Sequence, residues 1–153
     1  MTYSRFPASA PVAGDDLPPG STVLVSSGPG GPVRLLVVDD DARVRAALGQ
    51  TIALEADLVM VAAAASAAAA LALAESTGPS VALVDVLLPD ETAGLALVRS
   101  LGRRPGCAVV AMSVQSGLRH AALAAGAVAF VEKGSDIDAV LDAVRAAAPL
   151  HHL

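Results

Sequence analysis

Five short apolar runs, each followed by a stretch with helical character, constrain the fold of this chain more than any other feature. The runs occupy 33–38, 58–63, 80–84, 107–112 and 127–131, and none alternates strictly between apolar and polar residues. Continuous runs of this length are typical of strands that are covered by helices on both faces. Five strand–helix alternations therefore predict an α/β protein with a doubly wound, five-stranded parallel sheet.

The segments between the runs have the apolar spacing of short helices. We predict helices at about 42–55, 67–76, around 97–101, 117–125 and 136–148, with Ser66 and Asp136 near the start of the second and the last. The first and last helices each place apolar residues on one face, namely Val44, Leu48, Ile52, Ile137, Val140, Leu141 and Val144. For a sheet of this kind the natural strand order is 2-1-3-4-5, the flavodoxin-like arrangement.

The ends of the chain differ in texture from its middle. Residues 1–32 contain eleven of the twenty-three Pro and Gly residues, which predicts a disordered N-terminal tail. The predicted folded domain covers 33–148, and 149–153 form a C-terminal tail. The apolar stretch 58–74 is too short and too rich in Ala for a membrane span, so we interpret it as a strand followed by a helix.

Composition excludes some functions and indicates a compartment. Ten basic residues against fifteen acidic ones give no indication of nonspecific binding to nucleic acid. The single cysteine, Cys107, excludes an internal disulfide and fits a reducing cytoplasm. The chain has one lysine, Lys133, among nine arginines, which indicates a position where ammonium chemistry is needed.

Polar residues follow four of the five predicted strands. Carboxylates at 39–41 follow the first strand, Asp85 the third, Ser113 the fourth, and Lys133 with its neighbour Glu132 the fifth. In the proposed order, strands 1, 3, 4 and 5 are adjacent, and ligands of such sheets bind outside the carboxyl ends of the strands. The sequence therefore predicts one site that collects these side chains.

The residue types at this predicted site suit phosphoryl transfer. Carboxylate oxygens are the ligands that Mg²⁺ prefers, and a bound ion would offset their mutual repulsion. Asp85 can act as a nucleophile toward phosphorus, while the metal and Lys133 neutralise the oxygens of the transferring group. Ser113 can donate a hydrogen bond to one of those oxygens.

Four segments together resemble the receiver domain of two-component response regulators. They are RLLVVDDDARVRAAL, VALVDVLLP, VVAMS and AGAVAFVEKG, and the resemblance covers about 34–148. The Lys-Gly ending is similar to receivers that usually carry a helix-turn-helix domain, but no room for one remains after residue 148. The resemblance thus implies a cytoplasmic single-domain regulator with no direct DNA binding and no membrane segment.

The resemblance also implies a metal site and a phosphorylation site. Asp39 and Asp40 would be the acidic pair, Asp85 the phosphorylated residue, and the backbone carbonyl of Leu87 the remaining protein ligand of Mg²⁺. Asp41 would instead cap the first helix.

Three further roles follow from the same resemblance. Ser113 would be the switch hydroxyl, Lys133 the cation that binds the phosphoryl group, and Phe130 the aromatic residue that turns inward on activation. A sensor histidine kinase or a phosphotransfer protein would donate the phosphoryl group, and the chain would not be a turnover enzyme. The face formed by the fourth helix, fifth strand and fifth helix would form a homodimer or bind another protein.

The sequence departs from the usual receiver pattern in one loop. Gly94 lies nine residues after Asp85, where eight is usual, and Leu87 is apolar where many relatives are polar. Leu87 and Gln115 would flank the path of a hydrolytic water. We therefore expect dephosphorylation to differ from that of the fast chemotaxis type.

Two other functions compete with phosphorylation-dependent signalling. One is a degenerate receiver that binds partners without being phosphorylated. The other is a phosphohydrolase of the haloacid dehalogenase type, because Asp39 and Asp41 have its Asp-x-Asp spacing. In that second case the expected Gly-Thr or Val-Thr continuation is missing, and the length leaves no room for a cap domain.

Overall fold

The computed structural model describes residues 31–149, in which strands and helices alternate. The tails were predicted at 1–32 and 149–153, and all of these residues except 31, 32 and 149 lie outside the described part of the chain. The elements in chain order are β1 (Val33–Val38), α1 (Ala42–Ala53), β2 (Leu58–Ala64), α2 (Ala67–Thr77), β3 (Val81–Asp85), α3 (Glu91–Gly102), β4 (Ala108–Ser113), a short 3₁₀ turn (Ser116–Leu118), α4 (Arg119–Ala125), β5 (Ala129–Glu132) and α5 (Ile137–Ala147).

The five strands form one parallel sheet. Its order is β2-β1-β3-β4-β5, so the predicted order 2-1-3-4-5 of a flavodoxin-like sheet is confirmed. The apolar stretch 58–74 is a strand followed by a helix, as predicted. None of the helices within 31–149 has both the length and the apolar character needed to span a bilayer.

Alternate residues of the central strands face the two sides of the sheet. Leu36 and Val84 belong to the apolar cluster that packs against α2, α3 and α4, whereas Leu35 and Leu83 belong to the cluster beneath α1 and α5. Because both faces are covered, the strands are apolar at nearly every position, which explains the continuous runs in the sequence.

Side chains at the predicted helix starts act as caps. Asp41 accepts a hydrogen bond from the backbone N–H of Arg43, and Ser66 accepts one from Ala69. Asp90 and Asp136 cap α3 and α5 in the same way. Each cap satisfies one backbone donor that the first helical turn leaves unpaired. Helices α1, α2 and α5 begin within one residue of their predicted starts, whereas no start was predicted for α3.

Some element boundaries differ from the predictions. The fifth strand begins at Ala129 rather than 127, because the N–H of Ala127 donates to the carbonyl of Ala122 and thereby closes the end of α4. The predicted helix 117–125 divides into the 3₁₀ turn and a seven-residue α4. Helix α1 ends at Ala53, where the N–H of Leu54 turns back to Thr51 and Ile52.

Gly94 allows α3 to approach the end of β3. A Cβ atom built on Gly94 would lie 1.5 Å from the backbone oxygen of Val86. Backbone cannot yield as a flexible side chain does, so any residue larger than Gly would push α3 away from the segment that follows Asp85. The loop before Gly94 also contains a cis peptide bond between Leu88 and Pro89.

We expect Gly94→Ala to lower the free energy of unfolding by about 3 kcal/mol or more, because overpacking against backbone forces α3 to move. Urea unfolding followed by circular dichroism measures the change. Gly102→Ala, in the same helix, is the matched control, since its Cβ would lie 3.5 Å from the nearest atom. That control should change stability by no more than about 1 kcal/mol. Equal effects of the two substitutions would contradict the close approach at Gly94.

Candidate functional site

The predicted site residues meet at the carboxyl edge of the sheet. Asp39 and Asp40 directly follow β1, Asp85 is the last residue of β3, Ser113 is the last residue of β4, and Lys133 directly follows β5. These four strands are neighbours, so their ends lie side by side. The strand order, rather than closeness in sequence, brings together residues up to 94 positions apart, the separation of Asp39 and Lys133.

Lys133 joins the other members of the site. Its Nζ lies 2.7 Å from Oδ2 of Asp39 and 2.8 Å from Oδ2 of Asp85. Its backbone N–H donates to the carbonyl oxygen of Ser113 over 2.8 Å. One residue therefore contacts the ends of β1, β3 and β4, and its ammonium separates two carboxylates that would otherwise repel each other.

The pKa of Lys133 reflects two opposing influences. Partial burial, the largest single influence, lowers it because burial penalises the charged form. The ion pairs with Asp39 and Asp85 act in the opposite direction and together prevail, so the pKa lies above the usual 10.5. The ammonium is consequently charged at every physiological pH.

Three similar turns fix the polar side chains at the strand ends. Asp39 Oδ1 accepts a hydrogen bond from the backbone N–H of residue 41 over 2.8 Å. Asp85 Oδ1 accepts from the N–H of Leu87 over 3.0 Å, and Ser113 Oγ accepts from the N–H of Gln115 over 3.0 Å. In each case a side chain bonds to the backbone two residues later, which holds it in one rotamer.

The acidic side chains fit a divalent cation. Carboxylate oxygens of Asp39, Asp40 and Asp85 lie within 4.8 Å of one another. Asp39 is fully buried, and its Oδ2 has no hydrogen bond of acceptable direction, although the ammonium of Lys133 is 2.7 Å away. A buried oxygen with unused acceptor capacity beside two other carboxylates matches the oxygen donors that Mg²⁺ takes.

The other residues for which the sequence predicted a role near the site are Leu87, Phe130 and Asp41. Leu87 follows the site residue Asp85 by two positions and is half-buried, and its carbonyl as a metal ligand stays a prediction. Phe130 is buried on β5, with 6% of its surface exposed. Asp41 caps α1 as predicted, and the side-chain hydrogen bond from Arg43 lowers the pKa of its carboxyl.

Two arginines near the site were missed by the sequence reasoning. Arg45 Nη1 donates to the backbone carbonyl of Asp39 over 2.7 Å, which anchors α1 to the end of β1. Arg119 Nη1 donates to the backbone carbonyl of Phe130 over 3.3 Å. The position of Arg45 within the first turn of α1 was a usable signal, because this turn directly follows the acidic residues at the end of β1. Nothing in the sequence indicated the target of Arg119.

Comparison with known proteins assigns the family. Residues 35–145 match the model of the response regulator receiver domain. The chain belongs to this family. Receivers are signalling modules of two-component systems, so the family assignment removes the haloacid dehalogenase-type phosphohydrolase from the alternatives and agrees with the resemblance found in the sequence.

Individual relatives agree with this assignment. The transcriptional regulatory protein UhpA of Salmonella typhimurium is 34% identical over 118 residues, which are 76% of this chain and 59% of UhpA. The chain thus spans less than two thirds of that relative. A CheY-like receiver from Methanospirillum hungatei has a TM-score of 0.66 at 28% identity, with 76% of this chain and 93% of that chain covered.

A second similar structure contains a receiver with a partner. CheY6 of R. sphaeroides was crystallised in complex with the P1 domain of CheA3, and the matched chain is 23% identical with a TM-score of 0.66. The match covers 77% of this chain and 100% of that chain. At this identity the likeness shows that the fold is shared.

The ion pairs of Lys133 predict a measurable titration. Since Lys133 is the single lysine, lysine labelled with ¹³C at Cε gives one NMR signal for the whole chain. We expect a titration midpoint above 10.5 without added metal, and a lower midpoint in Asp85→Asn, which loses one ion pair. Because the folded pKa is raised, the ion pairs stabilise the fold fully below the unfolded pKa, and this contribution is lost as pH rises through the folded pKa. A wild-type midpoint at or below 10.5 would contradict the ion-paired site.

Proposed function

We propose that this chain accepts a phosphoryl group on Asp85 from a sensor histidine kinase or a phosphotransfer protein and relays the signal by binding a protein partner. The observation that carries the proposal is the position of Lys133, whose Nζ lies within 2.8 Å of both Asp85 and Asp39. An apolar core does not need an ammonium beside a carboxylate. In phosphoryl transfer, however, such an ammonium neutralises the negative charge on the oxygens of the transferring group.

In the transfer step, a carboxylate oxygen of Asp85 attacks phosphorus. The new bond joins that oxygen to phosphorus, and the bond from phosphorus to the donor's imidazole nitrogen breaks, which leaves its electron pair on the imidazole. Lys133 can bind one oxygen of the transferring group, and the hydroxyl of Ser113 can donate to another. Because the turns at the strand ends hold Asp85 and Ser113 in place, little reorganisation is needed when the charge shifts.

A bound Mg²⁺ would be held by the side chains of Asp39, Asp40 and Asp85 and by the carbonyl of Leu87. When bound, it supplies positive charge that offsets repulsion between Asp85 and the incoming phosphoryl oxygens. The chain's own contribution is to place these oxygens at the ends of two neighbouring strands and to bury Asp39 completely. Burial keeps the carboxylate oxygens of Asp39 and Asp85 in fixed directions.

The phosphodonor has a suitable approach beside the site. A cavity of about 330 Å³ lies between α1 and α5, with Val44, Leu48 and Ile137 among its apolar residues and Lys133 at its rim. An apolar helix face that carries a phosphohistidine can pack there and bring the phosphorus near Asp85. CheY6 of R. sphaeroides, which shares this fold, was crystallised in complex with the P1 domain of CheA3, so a domain with this fold can bind a second protein domain.

The output surface is the face formed by α4, β5 and α5. Phe130 lies on β5, within this face, and Ser113 ends the neighbouring strand β4, so a change at Asp85 can alter both. Leu123 on α4 and Val128 before β5 are exposed apolar residues, and Asp142 on α5 is an exposed carboxylate. We propose that this face forms a homodimer or binds another protein when Asp85 is phosphorylated.

The direct test is incubation with Mg²⁺ and acetyl phosphate followed by intact-mass measurement. Wild-type protein should gain the mass of one phosphoryl group, and Asp85→Asn should gain none, because the amide is not a nucleophile. EDTA should abolish the gain. A wild-type chain without any gain would support the phosphorylation-independent binding module instead, and equal gains in both variants would move the acceptor away from Asp85.

The apolar side chain of Leu87 predicts slow loss of the phosphoryl group. We expect Leu87→Asn to shorten the lifetime of phosphorylated Asp85 severalfold, because an amide can orient a water molecule for attack on phosphorus. Loss of the added mass over time, after removal of acetyl phosphate, measures the lifetime. Leu87→Met keeps the apolar character and is the matched control. An unchanged lifetime in Leu87→Asn would refute this role.

A further inference from the structure

The connection between β4 and α4 directly follows Ser113 and is largely exposed to solvent. Val114 is 67% exposed, and residues 115–117 are exposed as well. Its internal hydrogen bonds include those from the Gln115 N–H to Ser113 Oγ, from the Leu118 N–H to the Gln115 carbonyl and from the Arg119 N–H to the Ser116 carbonyl. Contacts at the end of this connection therefore influence where it sits.

Arg119, the first residue of α4, folds back onto β5. Its Nη1 donates to the backbone carbonyl of Phe130 over 3.3 Å, and its guanidinium carbon lies 6.0 Å from the centre of the Phe130 ring. An exposed arginine would gain more rotamer freedom by extending into solvent. The cation–π attraction and the hydrogen bond to a carbonyl favour the folded-back position.

Phe130 lies on the strand that pairs with the strand of Ser113. It is opposite Ala111 on β4, and Ser113 is opposite Glu132 two residues further along both strands. The ring is 6% exposed and belongs to the apolar cluster that also contains Leu118. Arg119 thus covers Phe130 from the solvent side while Leu118 packs in the same cluster.

We infer that Arg119 is a positioning residue that holds the Phe130 ring in its buried position and so couples the Ser113 connection to β5. The inference rests on the proposed function and on the expectation from the sequence that the Phe130 ring turns inward, the buried position, when Asp85 is phosphorylated. An interaction that stabilises the inward ring then also strengthens binding of a phosphoryl group or its mimic, because the two equilibria are linked.

The ring itself gives the first readout. The chain has two phenylalanines, Phe6 and Phe130, so ring-labelled phenylalanine gives two sets of NMR signals, and Phe6→Leu assigns them. In Arg119→Ala we expect the Phe130 signals to shift. We also expect the ring to exchange between its conformations faster than in wild type. Arg119→Lys, which keeps the charge but loses the planar donor, should show a smaller change.

The matched control is Arg103→Ala, which removes one exposed arginine from the end of α3. It should leave the Phe130 signals at their wild-type positions, and thermal unfolding should show that all variants are folded. Phe130 signals in Arg119→Ala that coincide with those of wild type would overturn the inference.

The second readout is one that a merely structural role would not move. Titration with beryllofluoride, a phosphoryl mimic, in the presence of Mg²⁺ should give an affinity about two- to fivefold weaker in Arg119→Ala than in wild type. Equal affinities would also overturn the inference, even if the ring signals move. A wild-type chain that does not bind the mimic would refute the proposed function, and the ring signals alone would then decide whether Arg119 holds Phe130.

Discussion

The structure depends on the contact of one ammonium with two buried carboxylates. Lys133 lies between Asp39 and Asp85, which would repel each other strongly at this degree of burial. With Asp40 the ionised site carries three negative charges and one positive charge, a net charge of −2. That residual charge is equal in size and opposite in sign to the charge of one divalent cation, which supports the proposed Mg²⁺ site.

The sheet positions the side chains of the site precisely, and little conformational entropy is lost in ordering them. Each polar residue directly ends or follows a strand whose apolar residues are buried, so the core holds the backbone of the site. Hydrogen bonds to the backbone two residues later then fix the side chains of Asp39, Asp85 and Ser113. Flexible loops need only provide surfaces for partners, which is consistent with the exposed connection after Ser113.

Much of this could be predicted from the sequence because it depends on local patterns. Continuous apolar runs indicate buried parallel strands, and the order of such strands limits which strand ends can meet. The destinations of long side chains could not be predicted, since Arg45 and Arg119 bond to carbonyls that only the tertiary structure brings near. The start of β5 was also misplaced, because the end of α4 competes for the N–H of Ala127.

The role of Gly94 could be predicted only in part from the sequence. Its displacement by one position from the usual spacing was visible, yet its contact with the Val86 carbonyl is a tertiary property.

Anomalous diffraction from crystals soaked in Mn²⁺ tests the proposed metal site most directly. We expect one peak within about 2.5 Å of carboxylate oxygens of Asp39 or Asp40 and of Asp85 and of the Leu87 carbonyl oxygen. Manganese bound elsewhere, with no peak at this position, would contradict the proposed metal site.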